Sequence, residues 1–389
     1  MIAPAAAGRP ANVGPPRPGD GAQILLFSPT FNDGGGVARM FVNLANGLDA
    51  LGVGVRLLAR RSRSVFLDQL QPGVRRGQLR GGNDRALAAE LCEHLRAARP
   101  LVVLSGQPRD DAIALAAKRS LHDPAVRFFS AVGTSLPEQA RLSRRLPLTA
   151  ALLRRRFRRV LSGFDGILVN SRGAAAELVG SLGIDPDRVS VVPLPSVTAD
   201  LSRLAAEPVD HPWLAGAAVP LVLAVGRLTR VKDYPTLLRA FALLHTRRRC
   251  RLIILGEGRQ RPKLERLVQR LGLSGDAELP GFTTNPYAYM ARAGVLVVSS
   301  LREGGPQVLI EALALGTPVV STDCPSGPRE ILDGGRYGRL VPRRSPEALA
   351  EAMAATLDDP PAPDRLAEGA ARYRVDESSR AHLEAFGLR

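Results

Sequence analysis

Short apolar runs that alternate with helix-period segments, twice along one chain, predict an α/β protein of two Rossmann-like parallel-sheet domains facing across a cleft. Three observations carry this. The alternation runs from residue 22 through the strand at 164–171 and the segment after it, it restarts at 219, and a Pro-containing stretch near 195–218 separates the two series. At 389 residues with 45% apolar content, the chain is long enough for two cores.

The first series opens with AQILLFSPTF (22–31), a buried strand ending in the loop NDGGG. VARMFVNLANGLDALG follows with helical periodicity and a stop at Gly52. Strands are then expected at VGVRLLAR, PLVVLSG (100–106), VRFFSAV (126–132) and FDGILVNS (164–171), each followed by a segment able to be helical. The second series starts with VPLVLAVG (219–226). It continues through helix 233–246, strand RLIILG (251–256), helix 262–271, the short strand AELPG, helix 286–293, strand GVLVVSS, helix 306–315, strand PVVSTD and a helix near 346–357. The resulting division is a disordered tail over 1–21, a first domain over 22–200, a structureless linker over 201–218 and a second domain over 219–363. A helical segment over 364–389 completes the chain.

Composition excludes several classes. Apolar runs such as LVLAV and GVLVV are far short of the ~20 residues of a bilayer helix. The Ala/Pro/Gly-rich leader lacks the continuous apolar segment of a secretory signal, so a cytoplasmic protein is expected. Cys92, Cys250 and Cys324 are widely spaced and read as reduced core residues. The five histidines (His94, His122, His211, His245, His382) show no ligand spacing, and Asp185-Pro186-Asp187 reads as a polar turn, so no metal site is expected.

A net charge of +16 suggests nucleic acid, but aromatics are only 4% of the chain and no basic-aromatic interleaving occurs, so no nucleic-acid partner is expected. Residues 1–200 hold 27 basic and 16 acidic side chains, which places most of the excess in the first half. It is densest at 141–162, where Leu153, Phe157, Val160 and Leu161 recur at helical spacing beside Arg154, Arg155, Arg156, Arg158 and Arg159. Such a helix can lie on an anionic membrane surface, or can pack its apolar stripe on its own domain; the sequence leaves both open.

Ligands of doubly wound sheets sit beyond the carboxyl ends of the strands, and the candidate residues fall there. After the strand ending at Gly226, Arg227 and Lys232 offer a fork and a point charge for adjacent phosphates. Only three of 53 basic residues are lysines, which makes Lys232 conspicuous. After GVLVVSS, Gly304, Gly305 and Pro306 mark a helix start whose amides could bind an anion, with Pro at the first helical position. Glu303 lies just before that step, and Glu311 lies inside the helix, placed to reach another part of an elongated ligand through its hydroxyls. Gly34, Gly35 and Gly36 offer a second place for close backbone approach to a phosphate or an acceptor, without the spacing of a dinucleotide or Walker loop.

GRLTRVKDYPTLLRAF, LGEGRQRPKLE, the stretch LPGFTTNPYAYMARAGVLVVSSLREGGPQVLIEALALGTPVV and TDCPSGPREIL together resemble the family 4 retaining glycosyltransferases, especially the branch that builds lipopolysaccharide and capsule glycans. The resemblance covers about 22–375 and is strongest from 219 to 342. It implies a GT-B fold in which the second domain binds a nucleotide-sugar donor, a UDP-sugar ahead of others, and the first binds a glycan acceptor, expected to be lipid-linked. In that pattern Arg227 and Lys232 hold the donor diphosphate, Glu303 contacts the transferred sugar, Glu311 the ribose, and the backbone around Phe282 the base. Gly35, Gly36, Gly226, Gly304, Gly305 and Pro306 line the donor site. The resemblance further implies no cofactor and no metal, retention by front-face attack, and a place at the inner face of the membrane. The last helix is expected to cross back onto the first domain. Two departures stand out: Ala38 follows the glycines where relatives often carry Glu, and FFSAVGTS (128–135) has no His. A non-catalytic GT-B scaffold in glycan assembly and a transferase acting on a small soluble acceptor are the alternatives.

Overall fold

The computed structural model describes residues 23–31, 36–61, 64–133, 147–214 and 219–388. The tail expected over 1–21, Gly34 and Gly35, positions 141–146 of the basic stretch and positions 215–218 of the linker lie outside these residues.

The first sheet is built from β1 (Ile24–Ser28), β2 (Val55–Ala59), β3 (Arg75–Gln78), β4 (Val102–Ser105), β5 (Arg127–Val132), β6 (Gly166–Val169) and β7 (Val189–Val191). Its order is β3-β2-β1-β4-β5-β6-β7 and its pairs are parallel, with Ile24 opposite both Val55 and Val102. Around it lie α1 (Gly36–Ala50), α2 (Asp84–Ala98), α3 (Pro108–Leu121), α4 (Pro147–Leu161) and α5 (Arg172–Leu182).

A short helix, α6 (Leu201–Ala206), leads to the second sheet of β8 (Leu221–Val225), β9 (Arg251–Leu255), β10 (Ala277–Gly281), β11 (Val295–Val298), β12 (Val319–Thr322) and β13 (Arg339–Val341). Its parallel order is β10-β9-β8-β11-β12-β13. The helices are α7 (Tyr234–His245), α8 (Arg261–Arg270), α9 (Tyr287–Met290), α10 (Gln307–Ala314), α11 (Pro328–Ile331), α12 (Pro346–Asp358), α13 (Pro363–Ala370) and α14 (Val375–Ala385).

Both sheets reverse strand order beside their first strand, at β1/β4 and at β8/β11, and these switch points open the crevices where ligands of such sheets bind. Central strands such as ILLFS and VLVV are buried throughout, as a sheet covered on both faces requires.

The linker expectation needs correction. Residues 201–206 form α6, and Asn285 Nδ2 and Arg292 Nη1 donate to the carbonyls of Leu204 and Ala205 (2.8 and 3.0 Å), fastening this helix to the second domain. Only part of 364–389 crosses back: α13 packs along α10, whereas α14 packs on α1. There a Cβ on Gly47 would lie 2.2 Å from Ser379 Oγ, and Phe386 meets Phe129 edge-on at 4.9 Å. Cys92, Cys250 and Cys324 are free and buried. Asp185 caps the short turn Pro186–Arg188 by accepting from the Asp187 amide.

Candidate active site

β8 leads through Gly226 and Arg227 into a tight turn, Arg230–Lys232, before α7. The end of β11 grips that turn: Ser299 Oγ donates to the Lys232 carbonyl and the Leu301 amide to that of Val231, both at 2.8 Å. This places Lys232 Nζ 2.6 Å from Glu303 Oε1, an oxygen that also accepts from Ser300 Oγ at 2.6 Å. The three residues expected to act together, Arg227, Lys232 and Glu303, thus leave the two strands flanking the switch point. Arg227 is exposed and its guanidinium bonds to no other described residue, whereas Lys232 and Glu303 neutralise each other.

Three glycines form a floor beside them. The Gly226 amide donates to Leu255 O and the Gly256 amide to Gly281 O (2.9 and 2.7 Å), so the ends of β8, β9 and β10 continue as bare backbone. A Cβ at Gly256 would fall 2.1 Å from the Gly226 carbonyl oxygen, and its φ of 139° disfavours any side chain. At Gly226 a Cβ would come within 3.1 Å of Lys232 Cε, which lets the ammonium lie across the strand end. Phe282 follows this floor at the edge of β10 and is 48% exposed, an open aromatic face. Gly256 and Gly281 were missed as site residues in the sequence; the signal was there in LGEGR and LPGF, glycines closing adjacent strands.

The glycine step before α10 differs from expectation in where the helix opens. Pro306 caps the helix and Gln307 is its first residue. A Cβ on Gly305 would lie 2.6 Å from Leu194 Cδ1 and 2.8 Å from Asn170 Nδ2, so the close approach here is made by the first domain. Any anion at these amides shares the space with Asn170, whose Oδ1 is buried and unpartnered. Gly36, at the start of α1, faces Gln307 Oε1 across the cleft at 3.3 Å from its Cβ position.

Glu311 does not stand in the cleft as a solvated carboxylate. It is 3% exposed and accepts from Tyr287 Oη at 3.1 Å, and Tyr287 in turn accepts from Arg39 Nη1 of α1 at 2.6 Å. Burial pushes the Glu311 carboxyl above its usual range, while Arg39 and the tyrosine hydrogen bond draw it back. Glu330 makes a second bridge between the domains, its two oxygens each accepting at 2.8 Å from the Arg172 and Gly173 amides at the start of α5.

On the first-domain side, the carboxyl ends of β1, β4 and β5 collect hydroxyls around two buried acids. Asp111 accepts from Ser105 and Ser130 (2.6 and 2.9 Å) and Asp110 from Thr30 (2.8 Å). Burial raises Asp110 to about 6 and Asp111 to about 7. On α4, Phe157 and Leu161 are buried against their own domain, while the five arginines from 154 to 159 are exposed and Leu152 is 67% exposed. The apolar stripe is therefore largely used internally. No described helix is long and apolar enough to cross a membrane, and among the described residues no cluster of His, Cys, Asp or Glu is placed to hold a metal ion.

Two parallel-sheet domains that face each other, with basic and acidic groups gathered at one switch point over a backbone floor, define the GT-B class. Residues 34–195 match the family model described as Glycosyltransferase Family 4, and residues 214–373 match Glycosyl transferases group 1. The chain belongs to the family 4 glycosyltransferases.

It is 34% identical, over 50% of this chain and 51% of the relative, to the N-acetylgalactosamine-N,N'-diacetylbacillosaminyl-diphospho-undecaprenol 4-alpha-N-acetylgalactosaminyltransferase of Campylobacter jejuni. It is 29% identical, over 90% of this chain and 94% of the relative, to the lipopolysaccharide core biosynthesis glycosyltransferase LpsE of Rhizobium meliloti. The chain thus spans about half the length of the first relative and nearly all of the second. Among solved structures it resembles Anabaena HepE in complex with UDP-glucose, with a TM-score of 0.75, 16% identity, and 94% of this chain and 99% of that one covered.

Proposed function

We propose that the protein transfers a sugar, with retention and without a metal, from a nucleoside-diphosphate donor to a lipid-linked glycan in cell-surface polysaccharide synthesis at the cytoplasmic face of a membrane. UDP-sugars are the first candidates. The observation that carries this reading is the convergence of Arg227, Lys232 and Glu303 at the β8/β11 switch point, over the Gly226–Gly256–Gly281 floor.

The chemistry follows from these groups. As the bond between sugar and diphosphate breaks, negative charge grows on the leaving oxygen. Arg227, free to fork onto it, and Lys232, turning from Glu303, would stabilise that charge in place of a cation. Glu303, released by the same turn and still held by Ser300, would accept hydrogen bonds from the transferred sugar. A leaving phosphate oxygen takes the proton of the acceptor hydroxyl, so front-face attack needs no side-chain base. Phe282 offers the base a stacking face, and Glu311 the ribose a carboxylate.

The acceptor class draws on the relatives, one named for a diphospho-undecaprenol acceptor and one for lipopolysaccharide core. The exposed arginines of α4 support attraction to an anionic surface by charge, with Leu152 as the remaining apolar contact. The test is binding and hydrolysis of a panel of UDP-, GDP-, dTDP- and ADP-sugars with EDTA present, beside a K232A/E303A double variant. Donor-selective turnover that survives EDTA and disappears in the variant is expected; no binding to any nucleotide sugar would refute the reading. Flotation with anionic vesicles, weakening as salt rises, tests the membrane part.

A further inference from the structure

We infer that Arg39 is a positioning residue for the donor site, acting through Tyr287 on Glu311, so that the carboxylate offered to the ribose is completed by the first domain. The inference rests on the nucleotide-sugar reading and deepens it.

Glu311 and Tyr287 belong to the second domain, on α10 and α9, and Arg39 to the first turn of α1. The three form an ordered relay. Arg39 Nη1 donates to Tyr287 Oη at 2.6 Å, which leaves the hydroxyl proton to be donated to Glu311 Oε1 at 3.1 Å. Burial raises the Tyr287 hydroxyl far above its ordinary value, so it stays a donor at any working pH. The guanidinium is aimed by its packing, 4.6 Å over the ring of Phe66 and 5.5 Å over that of Tyr287.

The electrostatic logic is that a carboxylate removed from water needs a compensating charge, and the cation bearing on Glu311 is Arg39. Apart from Asp200, the charged groups of neighbouring elements are paired elsewhere or exposed; on α6, Arg203 pairs with Asp200 and Glu207. On α13, Glu368 bonds to Arg336 and Tyr337 while Asp364 and Arg365 are exposed. On α11, Arg329 pairs with Asp323 and Glu330 caps α5. Asp200 bears on Tyr287 and opposes Arg39.

Removing Arg39, or separating α1 from α9, therefore favours the protonated carboxyl and frees the tyrosine hydroxyl. A protonated Glu311 is a poorer acceptor for ribose hydroxyls, so nucleotide affinity would fall on the acid side. Because the loss arises at the ribose contact, a nucleotide without ribose hydroxyls would not register it.

The experiment measures calorimetric binding from pH 5.5 to 8.5 for wild type, R39A, Y287F and the double variant. The probes are whichever of UDP, GDP and ADP the wild type binds most tightly, and its 2′,3′-dideoxy counterpart. In R39A the acid limb of ribonucleotide binding is expected to move about one pH unit towards alkaline, about tenfold in affinity on that limb, with the dideoxy nucleotide unaffected. Y287F, which loses one oxygen, should reproduce the effect and carries the test should R39A fold poorly. The double variant should lose less than the sum of the two single losses, because both groups act on one carboxylate. Equal losses for both nucleotides at every pH would make Arg39 a strut between domains and overturn the inference, as would unchanged binding in R39A and Y287F. Absence of nucleotide binding by the wild type would instead remove the donor reading on which the inference stands.

Discussion

Replacing Lys232 by Ala tests the centre of the site, because stability and activity should respond separately. Lys232 Nζ lies 2.6 Å from Glu303 Oε1, and the two side chains are 23% and 12% exposed. Breaking a fully buried ion pair by removing one partner costs ~3–5 kcal/mol. Here water reaches both ends and Ser300 still bonds to the carboxylate, so about 2 kcal/mol is expected. For a domain of 150–250 residues that lowers Tm by roughly 4–8 °C. Transfer should fall much further, about 10²- to 10³-fold, the usual loss when one donor to a developing oxyanion is removed. In K232A/E303A the unpaired carboxylate is gone, so most of the stability should return while activity stays lost. Thermal denaturation and donor turnover on the same preparations are the assays. An unchanged Tm in K232A would mean that the pair contributes no stability. Unchanged turnover would refute the assignment of Lys232 to the diphosphate.

Gly256→Ala places a methyl 2.1 Å from the Gly226 carbonyl oxygen at a φ of 139°; a loss of about 2–4 kcal/mol is expected, read as a lower Tm of the second domain. Glu330→Ala removes two hydrogen bonds at the start of α5; about 1 kcal/mol is lost, and small-angle scattering should show more separated domains without ligand. Asp111 has its folded pKa raised to about 7 from an ordinary 3.8. The stability this represents is fully present below pH 4 and is lost as pH rises towards 7, on the order of 4 kcal/mol. Asp111→Asn, neutral throughout, should flatten that slope in denaturant titrations between pH 4 and 7.

The sequence makes the central strands legible because burial on both faces writes them as unbroken apolar runs, as in ILLFS or LVLAV. The three strands it left unseen, β3, β7 and β13, are all sheet edges. RRGQ, VSV and RLV are short and half exposed, so neither an apolar run nor a clean alternation marks them. The linker helix α6 was hidden for a related reason: LSRLAA is too short for periodicity and gains its hold from Asn285 and Arg292, far along the chain. The same limit governs the site. Arg227, Lys232 and Glu303 could be picked out because each lies within a few residues of a strand end. The proximity of Gly256 to Gly226, or of Leu194 to Gly305, depends on the stacking of strands and domains, which no local pattern records.

That limit is sharpest for the two glutamates. In sequence they form one motif, eight residues apart, and nothing local distinguishes their environments. In the structure Glu303 is balanced by Lys232, a neighbour anchored to the same sheet, so its charge is settled within the second domain. Glu311 is balanced by Arg39, reached through Tyr287 from the opposite domain. A separation of the domains leaves the first pair intact and strips the second carboxylate of its cation. The motif therefore joins a group indifferent to closure with one that depends on it. A donor whose sugar meets Glu303 and whose ribose meets Glu311 would be held completely only when α1 is docked, which ties the grip on the nucleotide to the arrival of the acceptor domain.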